Sequence, residues 1–359
     1  EFRRVLFRST KKEKIPMDAL VIYSLAGNRE VIDSLRTFKL AEKMDWLAFQ
    51  KGKKDSTLYV RPLNGKLSTR YEAPAVKAFN FVEKSGMLYY ITAGDKAKEK
   101  PGLYLLNTET GVKTLIKEGD GVFKQVTFDE DGANLAFLYC AQKDSCYKGM
   151  SLWLSQQGAP AAEIAARGNQ AFPKGWVISE HGKLQFSKSA SRLFFGTSPE
   201  PRQKDTLQLA ENRPNVQVWS WDEPVQYTVQ NYNKEKELKR SYQAVYHINS
   251  GRICQLADEE LSQILLGDEG DAPLALLSTS RPYSLSSMWE GRTRSDYYTV
   301  SLEDGSRKLL ASADYGRYRL SPQGKYAYWY AETDSCWYTL SMADGKKVQL
   351  TTPVSFLAW

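Results

Sequence analysis

At 359 residues the chain is long enough for two domains, and its 42% hydrophobic and 12% aromatic content supplies a sizeable core. The formal charge of +7 is not a nucleic-acid signature. Arg3, Arg4, Arg8, Lys11, Lys12 and Lys14 against Glu1 and Glu13 supply more than half of it, and the other basic residues are interspersed with acids rather than gathered on a stripe. No run of about 18 apolar residues occurs, which excludes a membrane-spanning helix.

In chain order, residues 1–15 read as a non-native or disordered tail. Arg4-Val-Leu-Phe-Arg-Ser9 resembles a translated sequencing adapter, so residues 1–9 are expected to be foreign to a metagenomic fragment whose true start, and any targeting signal, lie elsewhere. Residues 19–35 form a strand–turn–strand pattern with no apolar anchor before it, expected to be the outer half of a partial blade. One phrase then recurs six times: an apolar anchor, a polar turn, and an apolar strand that resumes seven residues after the anchor. The copies run from Leu40 to Leu47, Phe81 to Leu88, Phe128 to Leu135, Phe186 to Leu193 and Leu320 to Ala327, with a longer one from Leu266 to Leu274.

A second hairpin follows each copy, as in Leu103-Tyr-Leu-Leu-Asn-Thr-Glu-Thr-Gly111 and Trp337-Tyr-Thr-Leu-Ser-Met-Ala-Asp-Gly345. Asn, Asp and Gly stand where such turns need positive φ. Four short strands recurring at about 40–55 residues are the mark of a β-propeller blade. The expected fold is therefore all-β: a propeller over 19–359 with fuller blades at 36–72, 73–119, 120–167, 178–257, 258–311 and 312–352. Partial blades are expected at both ends, the last opening at Pro353–Trp359.

One blade is interrupted at about 196–242. Val216 and Val218, leading into Trp219 and Trp221, read as an edge strand, and the polar stretch from Pro224 to Arg240 as a short helix. Long insertions in a regular array collect on one face and often carry function. Trp219, Trp221, Asp222 and Glu223 are accordingly candidates for a rim or interface. Cys140 and Cys146 bracket a polar loop, a spacing compatible with a small disulfide or with free thiols; with no C-x-x-C pair among the four cysteines, structural zinc is not expected. Asp129-Glu-Asp131-Gly132 is a turn rather than a calcium loop, since it lacks alternating ligands and a closing Glu.

Catalytic motifs are missing. The only histidines, His181 in a turn and His247 in a strand, have no H-E-x-x-H context. There is no G-x-S-x-G, no G-x-x-x-x-G-K-[ST] and no G-x-G-x-x-G. No catalytic, metal or cofactor-binding residue is expected, and no cofactor.

The blade phrase of Phe128–Gly132, the insertion Val218-Trp-Ser-Trp-Asp-Glu-Pro224 and the return through Ala244-Val-Tyr-His-Ile-Asn-Ser-Gly-Arg-Ile-Cys-Gln-Leu-Ala257 together resemble the propeller domain of prolyl oligopeptidase-family serine peptidases. The likeness covers about 19–359 and is nearest to large bacterial members of the kind found in Bacteroidetes. It implies a propeller that sits over a C-terminal α/β-hydrolase domain with a Ser-Asp-His triad and restricts that site to short peptides. No position here matches the triad motifs, so the hydrolase domain is expected to lie outside the chain and the fragment itself to be non-catalytic. The resemblance also implies export to the periplasm or beyond, which a Cys140–Cys146 bridge would suit. A stand-alone propeller serving as a protein-interaction or ligand-binding module is the rival expectation, and a propeller glycosidase a third.

Overall fold

The computed structural model describes residues 18–23, 29–41, 45–52, 56–63, 70–83, 85–95, 99–142, 146, 149–201, 216–217 and 219–352. The adapter-like start, Val218 and the Pro353–Trp359 tail lie outside the described residues. Six antiparallel sheets follow one another along the chain, the blade array of a β-propeller.

The first sheet is ordered β1 (Asp18–Tyr23), β2 (Arg29–Leu40), β3 (Trp46–Lys51), β4 (Leu58–Pro62), β5 (Tyr71–Ala73). This corrects the expected partial blade at 19–35. The hairpin is no separate unit, because β2 runs on to Leu40 and pairs with β3, making β1 a fifth strand of the first blade. Leu20, Ile32 and Leu35 are the physical reason: they pack on Leu47 and Phe49 of the same sheet.

The second sheet comprises β6 (Val76–Phe81), β7 (Met87–Thr92), β8 (Gly102–Asn107) and β9 (Lys113–Glu118), and the third β10 (Val122–Phe128), β11 (Asn134–Cys140), β12 (Ser151–Gln156) and β13 (Ala162–Ala165). In the fourth, β14 (Trp176–Ile178) and β15 (Gln185–Phe186) together edge β16 (Arg192–Pro199), followed by β17 (Tyr242–His247) and β18 (Ile253–Gln255). The fifth holds β19 (Gln263–Leu266), β20 (Leu274–Thr279), β21 (Ser295–Ser301) and β22 (Arg307–Asp314). The sixth holds β23 (Arg319–Leu320), β24 (Tyr326–Ala331), β25 (Cys336–Ser341) and β26 (Lys347–Gln349).

The seven-residue phrase is a cross-strand pairing. Leu40 pairs Leu47, Phe81 pairs Leu88, Phe128 pairs Leu135, Phe186 pairs Leu193 and Leu320 pairs Ala327. Each anchor faces its partner across a five-residue turn. In the fifth sheet Leu266 pairs Ala275 instead of Leu274, because a 3-10 turn at Asp268–Gly270 lengthens the connection.

Two compact units make up the chain, Glu1–Lys143 with Trp153–Glu163 and Asp144–Leu152 with Ile164–Trp359, the division passing through the third sheet. In the first unit Trp46, Leu58 and Val60 pack on Phe79, Leu88 and Tyr90, while Leu103, Leu105 and Ile116 pack on Leu135, Phe137 and Tyr139. Sheets covered on both faces explain the unbroken apolar run of β8. Fully burying one such side chain is worth about 1.5–3 kcal/mol. In the second unit Phe194, Tyr242, Val245 and Leu256 meet Ala275, Leu277, Val300 and Leu302 between the fourth and fifth sheets. Between the fifth and sixth, Tyr318, stacked on Trp329 at 4.6 Å, meets Leu276 and Tyr297.

Polar links reinforce the fourth-to-fifth sheet contact. Arg192 donates to the carbonyls of Gly270 (2.9 Å) and Ala272 (3.1 Å), and Ser189 donates through its backbone N–H and its hydroxyl to Asp271. Gly270 needs its missing side chain: φ is +94°, and a Cβ there would stand 2.4 Å from the Phe194 ring.

Candidate functional site

Connection lengths single out one edge of the blades. First-to-second strand turns hold five residues in every sheet but the fifth, and third-to-fourth turns five in every sheet but the first. Second-to-third connections vary widely, from 332–335 in the sixth sheet to 280–294 in the fifth and 200–241 in the fourth. The two longest both belong to the second unit. Short turns built on Asn, Asp and Gly close a blade; long ones add surface that the blade does not need.

Within the 200–241 insertion, Trp219 is exposed and packs against Tyr227 at 5.6 Å, with its Nε1 donating to Gln217 at 3.4 Å. Trp221 is 90% exposed. Ser220 donates to Asp222, and Glu223 accepts from Gln230 at 3.3 Å. The expected edge strand is corrected here: Val216, Gln217 and Trp219–Gln226 are turn and irregular backbone, paired with no strand. The alternation of Val and Trp lacks a ladder partner, and Val216, Trp219 and Trp221 all point to solvent. After Pro224 the chain forms α1 (Tyr227–Leu238), which buries none of its residues and leaves Tyr232 and Leu238 exposed.

The 280–294 connection carries α2 (Ser284–Glu290), ended by Gly291 at φ +66°. Tyr283 just before it donates to Asp296 at 2.7 Å. Glu290 pairs with Arg294 and accepts from Tyr315 at 2.8 Å; the Tyr315 hydroxyl, then Arg294, hold its carboxyl below the usual range. Trp289, 87% exposed, projects into solvent beside Met288.

The second unit also holds an open pocket of about 350 Å³, lined by Gly182, Lys183, Phe195, Gly196, Ser241, Gln243, Ser262, Gln263 and Ile264. Its floor comes from a bulge. β14 and β15 both pair with β16, and residues 179–184 between them fold against it, the Ser179 N–H donating to the Gly196 carbonyl at 2.9 Å. Gly182 and Gly196 touch backbone to backbone, and a Cβ on Gly182 would fall 2.3 Å from the Gly196 Cα. Gly196 lies on the strand that leads into the 200–241 insertion and Ser241 is the insertion's last residue, while Gln263 pairs with Ser278 just before the 280–294 connection. The 200–241 insertion therefore rejoins the sheet at this pocket, and the 280–294 connection leaves from the strand that pairs with its Gln263 edge. Sequence reasoning missed the pocket and α2; the signal within reach was the pair of polar edges, Ser241–Gln243 and Ser262–Gln263, at the ends of irregular segments.

The remaining sequence-derived residues lie elsewhere. Cys140 and Cys146 are disulfide-bonded, and Cys254 and Cys336 are free thiols. His247 Nε2 lies 2.8 Å from the Leu302 carbonyl and its Nδ1 3.8 Å from Glu303, a packed link between sheets. His181 is exposed, 3.9 Å from Glu180 in the bulge turn. Among the described residues no three His, Cys, Asp or Glu side chains converge as metal ligands, and no helix is long and apolar enough to cross a membrane.

No family model and no curated protein matches the chain. Solved structures that align with it include a prolyl endopeptidase at 11% identity and TM-score 0.40, covering 94% of this chain and 47% of that one. The β-propeller domain of the Trilobed protease from Pyrococcus furiosus aligns at 15% identity and TM-score 0.37, covering 94% and 90%. Prolyl oligopeptidase B from Galerina marginata aligns at 10% identity and TM-score 0.39, covering 95% and 48%. The chain spans about half the length of the endopeptidase and oligopeptidase chains.

Proposed function

We propose that the chain is the substrate-gating propeller portion of a prolyl oligopeptidase-like serine peptidase. In this reading it acts by exclusion. Blades with tight five-residue turns form a stiff barrier that short peptides pass and folded proteins do not, while the nucleophile sits on an α/β-hydrolase domain encoded outside this chain. The fragment itself is non-catalytic and works in an exported compartment, to which its disulfide is suited. The observation that carries the reading is the blade array broken in its fourth sheet by the Trp219–Pro224 insertion, since that combination is what resembles the family.

The test has two parts. The reading frame continued past Trp359 should encode a G-x-S-x-G within a few hundred residues, and the chain expressed alone should not hydrolyse chromogenic prolyl peptides. A frame that closes without the motif, or turnover blocked by a serine-reactive phosphonate, overturns the proposal. The exposed Trp221 and Trp289 favour a second reading, a stand-alone interaction module. A stop codon after one further blade, with a stable soluble product, would select it.

A further inference from the structure

The pocket where the 200–241 insertion rejoins the fourth sheet has features that the gating role does not use. Of its nine lining residues, Lys183 alone is charged, and no carboxylate lines the wall. Four more polar side chains surround the space: the Ser241 and Ser262 hydroxyls and the Gln243 and Gln263 carboxamides. None of these five side chains is engaged by a hydrogen bond or ion pair within the described fold. Their neighbours behave differently. Thr197 bonds Gln255 and the Tyr242 carbonyl, and Gln255 bonds the Ala257 carbonyl. Polar groups one strand along are thus satisfied internally, while those around the cavity are left to whatever enters it.

We propose that this pocket binds a small ligand bearing a carboxylate beside an amide, the chemistry of a peptide's free C-terminal end. The one lining ammonium selects an anion, with no carboxylate on the pocket wall itself. The two carboxamides each offer a donor and an acceptor, the complement of a backbone amide. Phe195 and Ile264 supply an apolar wall for one side chain. About 350 Å³ lies at the small end of the ligand-pocket range of roughly 300–1,000 Å³, enough for a dipeptide-sized group and too little for a folded segment. Gly182 and Gly196 shape the floor: their backbone contact lays the bulge flat on β16 and carries Lys183 to the pocket. The inference stands whether or not the chain is part of a peptidase.

Calorimetric titration of the full 359-residue chain tests it. The probes are N-acetyl dipeptides with a small apolar C-terminal residue, the same peptides with the C-terminus amidated, hexuronic acid, and inorganic phosphate. The free-acid peptides should bind saturably, and amidation should weaken binding about 10- to 100-fold, the usual range for losing a charge-assisted hydrogen bond. Lys183→Met should cause a similar loss, and because Lys183 is exposed its circular dichroism should match the unaltered chain. Ser262→Trp, which fills the cavity, should abolish binding; should that variant fail to fold, Lys183→Met and the amidated peptides decide. The proposal is overturned by equal binding of acid and amide, by Lys183→Met binding unchanged, by phosphate or hexuronic acid binding at least as tightly as the peptides, or by no saturable binding at millimolar peptide.

Discussion

Glu30 and Arg61 form the most consequential ion pair in the first sheet, and their exposures predict an asymmetry. Arg61 on β4 reaches past the Phe49 ring to Glu30 on β2, with Nη1 to Oε1 at 2.7 Å and Nη2 to Oε2 at 2.9 Å. The Arg61 side chain is 4% exposed and that of Glu30 31%. Glu30→Ala removes the two-pronged carboxylate partner of a guanidinium that water barely reaches. Removing one partner of a fully buried pair costs about 3–5 kcal/mol, and solvent access at the Glu30 end brings the expectation down to about 2–3 kcal/mol. Arg61→Met leaves a carboxylate that rehydrates and places an apolar chain against Phe49, so it should cost about 1 kcal/mol or less. The double variant should resemble Arg61→Met alone. Because the chain holds two units and need not unfold in one step, the readout is hydrogen exchange of β2 together with the urea midpoint of the transition that exposes it. Glu30→Ala with unchanged β2 protection, or Arg61→Met as damaging as Glu30→Ala, would refute the reasoning. Either result would also weaken the assignment of β1 and β2 to the first blade.

Gly196→Ala should destabilise the second unit by about 1–3 kcal/mol, since its Cβ would meet the Gly182 Cα at 2.4 Å in backbone that cannot swing aside; a melting temperature within a degree of the unaltered chain contradicts the bulge geometry. On acidification the second unit should lose stability. Burial alone would raise the Asp258 and Asp271 carboxyls, but hydrogen bonds from the Leu261 N–H and Arg307 outweigh it for Asp258, and those from Ser189 and Ser187 for Asp271, so both titrate below an ordinary aspartate. Such groups contribute fully above the unfolded value near 4 and lose that contribution as pH falls through their lower folded values, so melting temperature should decline below about pH 4. Arg307→Met should flatten that decline. Thiol titration of the denatured, unreduced chain should find two reactive cysteines, Cys254 and Cys336, and four after reduction. In the folded chain Cys254 should react slowly at neutral pH, because burial first, then Glu303 and Asp304, raise its thiol pKa against the pull of Arg252; rapid labelling would contradict that environment.

What was legible in the sequence was whatever a blade settles within about ten residues. The anchor spacing is a register: with a five-residue turn closed by a glycine such as Gly132 at φ +72° or Gly324 at φ +68°, residues seven apart must face each other. What failed was nonlocal. The hairpin at β1 and β2 has the same alternation as an outer hairpin, and only its pairing with β3 shows that it extends the first blade at its β2 edge. Val216, Trp219 and Trp221 fall in a run of strand-favouring residues, yet such a run without a neighbour's free edge makes no ladder. The pocket was invisible for a related reason. Lys183, Ser241 and Gln263 are far apart in sequence and meet because a glycine-on-glycine contact folds a bulge against β16 while β19 packs beside it. Each of these residues is unremarkable alone, and a polar residue at a strand end is ordinarily just solvated. The sequence does mark where to look. Turn lengths repeat at the two sets of tight turns and break down at the connection between second and third strands, so the irregular segments 200–241 and 280–294 are where the chain carries residues beyond what folding requires. In a repeat protein the departure from period is therefore the more informative half of the pattern, because selection for folding alone would have kept it regular.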